Sequence, residues 1–261
     1  MRENKVKRAL RSGRVSVGTW VFEFNTTGIG RLAAEAGADF VVFDMEHTGW
    51  SVETIRGLVA TTRGTAVVPI VRVPAGEYHF IARVLDVGAM GLVVPMVETA
   101  DQARAIVRCA KYPPAGRRGA AFGVAHDDYT GGDVSEKIRS ANDEGLVVAL
   151  IETGRGVENV EAIAAVDGID VLGLGHFDLT NSLGIPAQFD HPDYLAAVGR
   201  VSEACRRHGK AAGFMASSVE EAAMMLDKGF RFLAYWGDIW LYKQALGQGI
   251  AGVRAETAKR E

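Results

Sequence analysis

Eight short apolar runs, at residues 15–22, 39–43, 67–73, 91–97, 146–151, 170–175, 210–215 and 231–236, recur along the chain of 261 residues. Most are rich in Val, Ile and Phe on both faces, the pattern of strands covered on both sides of a parallel sheet. Between them lie segments 30–36, 52–61, 79–86, 101–110, 157–165, 194–207 and 219–228, whose apolar residues fall three and four apart, as on amphipathic helices. Thr99 with Gln102, and Ser218 with Glu221, have the spacing of helix-starting capping boxes. Gly37, Gly88, Gly168, Gly209 and Gly229 follow helical segments where a C-cap needs positive φ. This repeated alternation predicts an α/β chain closed into a (β/α)₈ TIM barrel. A doubly wound open sheet is the competing arrangement. The first run is followed by no GxGxxG, and no Walker sequence occurs, which weighs against a nucleotide-binding open sheet.

The length suits one such barrel, and residues 1–261 are read as a single domain with a polar N-terminal extension, 1–14. With 29 Lys and Arg against 32 Asp and Glu the net charge is −3, and no basic stripe invites nucleic acid. No run approaches the roughly 18 apolar residues of a membrane span. The 1–14 segment has no apolar stretch of the secretory type, and Cys109 and Cys205, far apart in helical segments, read as buried free thiols. A cytoplasmic location is expected. The alternation breaks at 111–141: Tyr112-Pro113-Pro114-Ala115-Gly116 punctuates it, and 122–133 is a long, Gly-rich polar loop of a kind that is functional or disordered. His126, Asp127 and Asp128 within it are expected to be solvated.

In a barrel of this type chemistry gathers at the C-terminal ends of the strands. Those positions hold Asp44-Met45-Glu46-His47, Arg72, Glu152 and Gly175-His176-Phe177-Asp178. Glu152 and Asp178 suit a hard divalent cation with water completing its shell; both also suit the start of a following helix. Asp44 and His47 suit an oriented base, the carboxylate fixing the imidazole tautomer, although a loop histidine is as easily a surface residue. Arg72 interrupts an apolar strand and must find an anion, either a substrate or a structural partner. Met215, at the end of the seventh run, suits either the pocket wall or the core. Imine-forming aldolases need a lysine at a strand's C-terminal end, and none stands there; Lys210 begins a strand instead.

Several separate motifs, in order, resemble the HpcH/HpaI aldolases, class II pyruvate aldolases that include 4-hydroxy-2-oxoheptanedioate and 2-keto-3-deoxy sugar acid aldolases. They are Asp44-Met45-Glu46-His47, Pro69-Ile70-Val71-Arg72, Val94-Pro95-Met96-Val97-Glu98, Tyr112-Pro113-Pro114-Ala115-Gly116-Arg117-Arg118-Gly119, Ile151-Glu152-Thr153, and Asp178-Leu179 followed by His191-Pro192. The resemblance spans nearly the whole chain and implies a phosphoenolpyruvate/pyruvate-type barrel acting on a 2-oxo acid and an aldehyde. It implies Glu152 and Asp178 as ligands of Mg²⁺, Mn²⁺ or Co²⁺, His47 as the base acting through a metal-held water, and Arg72 as the stabiliser of the enolate. It also implies Asp86 as a charge that raises the basicity of His47. Asp86 falls at the far end of a helical segment, so it is expected to reach the site of a neighbouring subunit in a homo-oligomer, a hexamer or trimer. Two departures concern the substrate pocket: Leu150 stands where the family often has Gln, and Gly175-His176-Phe177-Asp178 where it often has Gly-Pro-x-Asp. The amides of Phe177 and Asp178 remain suited to a substrate carboxylate. A citrate-lyase-β or malyl-CoA-type lyase shares the barrel but needs a basic surface for CoA phosphates, which is not evident. A non-catalytic binding barrel would have no need of the convergent acids, His and Arg.

Overall fold

The structure, a computed structural model, describes residues 2–260. Eight parallel strands close in sequence order: β1 Ser16–Val21, β2 Phe40–Asp44, β3 Val68–Arg72, β4 Gly91–Val94, β5 Leu146–Ile151, β6 Val171–Leu174, β7 Ala211–Ala216 and β8 Phe230–Gly237. The expected (β/α)₈ barrel is therefore the fold, and the open sheet is excluded by the pairing of β8 with β1. Helices fall on each amphipathic segment. All five glycines expected to end them have positive φ, between 64° and 109°, a region in which a Cβ is strained.

Alternation along the strands explains both cores. Phe40 and Val42, Val68 and Ile70, and Leu146, Val148 and Leu150 fill the barrel interior, while their neighbours Val41, Phe43, Val71, Val147, Ala149 and Ile151 pack beneath the helices. With a period of two, the next inward positions are Asp44, Arg72 and Glu152. The site is thus the polar continuation of an apolar column. Gly18 lies against the Phe40 ring, where an added Cβ would come within 2.5 Å of it, and Phe40 of β2 stacks on Phe232 of β8 at 4.2 Å over the intervening β1.

Residues 2–14 pack onto the barrel rather than hanging from it. Helix Lys5–Arg11 inserts Val6 and Leu10 into the interior cluster at the N-terminal end of the strands. Lys7 Nζ donates to Asp170 at 2.9 Å and to the Gly145 carbonyl at 2.5 Å. Lys111 Nζ reaches the same carbonyl, and burial lowers its pKa to about 8. Asp170→Asn should leave Lys7, which is only 2% exposed in its side chain, without its counter-charge. The expected loss is roughly 3 kcal/mol of stability, measured by urea denaturation, with catalysis by the folded fraction unchanged.

The 111–141 stretch is neither disordered nor near the mouth. Its backbone wraps the closed end of the barrel, where the Ala125 carbonyl accepts from Arg63 and Arg118 pairs with Asp86 at 2.6 Å. Asp127 is fully buried against Lys137 at 2.6 Å, and buried His126 Nε2 bonds the Ala121 carbonyl. The expectation of solvated side chains is corrected for both; Asp128 lies 3.5 Å from Arg63. Helix Val134–Glu144, capped by Asp133, was not evident in the sequence. Nor was the last helix, Asp238–Ala258, which is exposed from Tyr242 onward. Both cysteines are buried and free. Among the described residues no helix is long and apolar enough to cross a membrane.

Candidate active site

A cleft of about 590 Å³ opens at the C-terminal ends of the strands. It brings together His47, Arg72, Glu152 and Asp178, and its wall includes Leu150, Phe177 and Met215. Four strand ends thus deliver the residues the sequence nominated to one space. Among the described residues that line it there is no lysine, in keeping with the sequence argument against an imine.

Arg72 is the most constrained of these groups. Its Nε donates to Asp44 Oδ1 at 2.5 Å, and its Nη1 lies 3.0 Å from Glu46 Oε2. The guanidinium also stacks over Trp20, 4.6 Å from the ring centroid, a geometry in which Lys is a poor substitute. Nε is bonded to Asp44 and Nη1 faces Glu46, so N–H groups of Nη1 and Nη2 remain for a ligand in the cleft.

Asp44 acts differently from the expected histidine partner. Its Oδ1 accepts from the Glu46 amide at 3.1 Å and its Oδ2 from the His47 amide at 2.9 Å, while Thr48 Oγ1 donates to the Asp44 carbonyl. This is an Asx-type turn. Asp44 therefore fixes the loop and Arg72, and holds the His47 backbone rather than its ring. The imidazole is 58% exposed, with Nε2 3.9 Å from Glu46 Oε2. Glu46 was not among the residues nominated from sequence. Burial raises its pKa, opposed by Arg72 and reinforced by Asp44 and Asp178.

Glu152 is 3% exposed and takes the Met96 amide on Oε1 at 2.6 Å. Met96 presents that amide from φ 55°, an uncommon conformation for a side chain of this size. Burial raises the Glu152 pKa to about 7, and the nearby negative charges of Glu46 and Asp178 add to the rise. This is a carboxylate short of positive charge, with a second acid close by, so a divalent cation fits. Among the described residues no set of three or more His, Cys, Asp or Glu could share one ion. A cation here would have two protein ligands and positions open to water and substrate.

Gly175 makes the pair possible. A Cβ built on it would lie 2.2 Å from Glu152 Oε2 and 2.7 Å from Glu152 Cβ. Gly175→Ala should push Glu152 out of place while leaving the fold intact. We expect Mn²⁺ affinity to fall on the order of tenfold or more, read by isothermal titration, with a thermal midpoint near wild type in the absence of metal.

Asp86 is not in this cleft. It ends helix Tyr78–Asp86 at the opposite end of the barrel, ion-paired with Arg118, so within one chain it does not tune His47.

The chain belongs to the HpcH/HpaI aldolase/citrate lyase family. The model of that family matches residues 17–242. A 2-keto-3-deoxy-L-rhamnonate aldolase of Klebsiella pneumoniae is 36% identical, covering 98% of this chain and 95% of its own length. A 4-hydroxy-2-oxovalerate aldolase of Novosphingobium aromaticivorans is 38% identical over 98% of this chain and 96% of its own. The crystal structure of an HpcH/HpaI aldolase from Desulfitobacterium hafniense DCB-2 superposes with a TM-score of 0.91 at 32% identity, covering 95% of this chain and 96% of that one. Like these relatives, the family member described here is an aldolase, a carbon–carbon lyase.

Proposed function

We propose that this aldolase reversibly cleaves a 2-keto-3-deoxy or other 4-hydroxy-2-oxo acid to pyruvate, or hydroxypyruvate, and an aldehyde, with Mg²⁺, Mn²⁺ or Co²⁺ on Glu152 and Asp178. The observation that carries the reading is a buried carboxylate of raised pKa facing a second acid and a fixed guanidinium in one cleft. A divalent cation bound there supplies Lewis acidity toward the ketone and carboxylate of a 2-oxo acid. Arg72, held by Asp44 and Glu46, directs its remaining N–H groups at the oxygen that becomes negative as the enolate forms. His47, exposed at the rim, takes the proton of the 4-hydroxyl in cleavage and serves proton transfer at C3. The C3–C4 bond breaks, its electron pair becomes the enolate, and protonation at C3 gives the 2-oxo acid.

Two features support association of copies of this chain, which we read as a trimer or hexamer. Asp86 is part-exposed on the outer surface, where a neighbouring copy could receive it. The last helix also shows Tyr242, Leu246 and Ile250 to solvent at four-residue spacing. The functional reading is tested by pyruvate release from a 2-keto-3-deoxy acid after EDTA treatment. Activity should vanish and return with Mn²⁺ or Mg²⁺; release that ignores chelation would overturn the metal-dependent mechanism.

A further inference from the structure

The donor half of the cleft is polar and lies on β3, β5 and the turn after β6. The facing wall, from β7, β8, the segment after β1 and the last helix, has a different chemistry. Phe22 meets Trp240 edge-on at 5.0 Å, and Trp240 stacks on Trp236 at 6.5 Å with 8° between the planes. Across from them, Phe177 and Phe214 flank the His176 ring at 4.7 and 5.1 Å. These aromatic side chains line the same cleft. The floor beneath is also apolar, because Leu150 occupies the space that Gly173 leaves by lacking a Cβ, 2.7 Å from where one would stand.

This wall is built, not incidental. Asp238 accepts from the amides of Phe22, Glu23 and Phe24 at 2.7–2.9 Å, tying the segment after β1 to the start of the helix that carries Trp240. Trp236 stands at φ 45°, a strained conformation for a bulky residue, which the surrounding structure must hold. Phe177 is 56% exposed at the mouth, where an aromatic surface serves a ligand better than the core.

The polar groups on this side are few, and Ser217 and Glu221 engage each other. Ser217 Oγ and its amide both donate to Glu221 Oε2, at 2.8 and 2.7 Å. His176 sits among the rings of Phe177, Phe189 and Phe214. A tail of several hydroxyls entering here would exchange water for side chains that offer few partners.

We propose that the acceptor half of the site takes an apolar, preferably aryl-bearing, aldehyde rather than a polyhydroxylated one. The inference rests on the aldolase reading and names its substrate class: a 4-hydroxy-2-oxo acid with an aromatic substituent on C4. Cleavage breaks the C3–C4 bond, its electron pair passes to the pyruvate enolate, and the 4-hydroxyl carbon leaves as the aryl aldehyde. The hydroxyl proton is lost to the base and C3 gains one, so substrate yields pyruvate and aldehyde with no other reactant.

The test compares kcat/KM for pyruvate release from three substrates that share the donor half: 4-hydroxy-2-oxo-4-phenylbutanoate, 2-keto-3-deoxygluconate and 4-hydroxy-2-oxopentanoate. The aryl substrate should exceed the sugar acid by about 10²-fold, the scale on which a site lacking hydroxyl partners discriminates. Phe177→Ala, at an exposed position, and Trp240→Leu should each cut the ratio of aryl to pentanoate substrate by about tenfold. Equal rates for sugar acid and aryl substrate, or variants that slow all three alike, would overturn the proposal. Pyruvate released from none of the three would instead remove the aldolase reading, and the proposal with it.

Discussion

Glu152→Gln is expected to cost on the order of 10³-fold or more in kcat for pyruvate release, the scale of losing a Lewis acid worth several kcal/mol. The amide keeps the shape and can still accept from the Met96 N–H, but it lacks the charge a cation needs. Its effect on stability should have the opposite sign. The buried carboxyl has its pKa raised from 4.5 to about 7 by desolvation and by the charges of Glu46 and Asp178. Between those two values the unfolded chain has released the proton and the folded chain has not. The stability of the metal-free protein therefore falls as pH rises through that window and levels off above about 7. The glutamine variant lacks that slope, so at pH 8 without metal it should melt above the wild type. By the same linkage, metal binding to the wild type displaces a proton below pH 7, and Mn²⁺ affinity should weaken toward tenfold per unit of acidification. Thermal melts with and without Mn²⁺, alongside kcat, check the set. A glutamine variant with metal-dependent activity near wild type would contradict the assignment.

Arg72→Met should fail twice. Removing the charge that faces the enolate should lower kcat about 10²–10³-fold. It also strands Asp44, which is 0% exposed, beside half-buried Glu46, at an expected cost of roughly 3–5 kcal/mol in denaturant unfolding. Arg72→Lys separates the two effects. An ammonium restores a counter-charge for Asp44, so much of the stability should return. It cannot bond Asp44, face Glu46, stack flat on Trp20 and still present a donor to the cleft, so activity should stay low. Full activity in the lysine variant would show that the fork geometry of Arg72 has no role in catalysis.

The barrel was legible because parallel strands must be apolar on both faces while the helices between them need one stripe. These two periods are written directly in the residues. The candidate site was legible for the same reason: Asp44, Arg72 and Glu152 occupy the next inward step after two or three apolar ones, where a charge stands out. What escaped the sequence depends on local geometry that residue type does not encode. Asp44 was expected to hold the His47 ring, but its oxygens are within closer reach of the amides two and three residues on. Met96 and Trp236 adopt positive φ without being glycine, so nothing in the chain flagged them. Helix Val134–Glu144 was hidden because it is mostly polar, with Lys137 and Ala141 its only buried side chains. By length and composition the 122–133 loop is expected to be functional or disordered. Its Asp127 is instead buried against Lys137, at the end of the barrel away from the chemistry.

A cleft that makes a pyruvate enolate with a metal and without an imine should exchange the C3 protons of pyruvate with no aldehyde present. Pyruvate would be incubated with the enzyme in D₂O and its methyl signal followed by proton NMR. Loss of that signal is expected with Mg²⁺ or Mn²⁺, none after EDTA, and none with Glu152→Gln. Exchange that continues in EDTA, or at full rate in the glutamine variant, would contradict it.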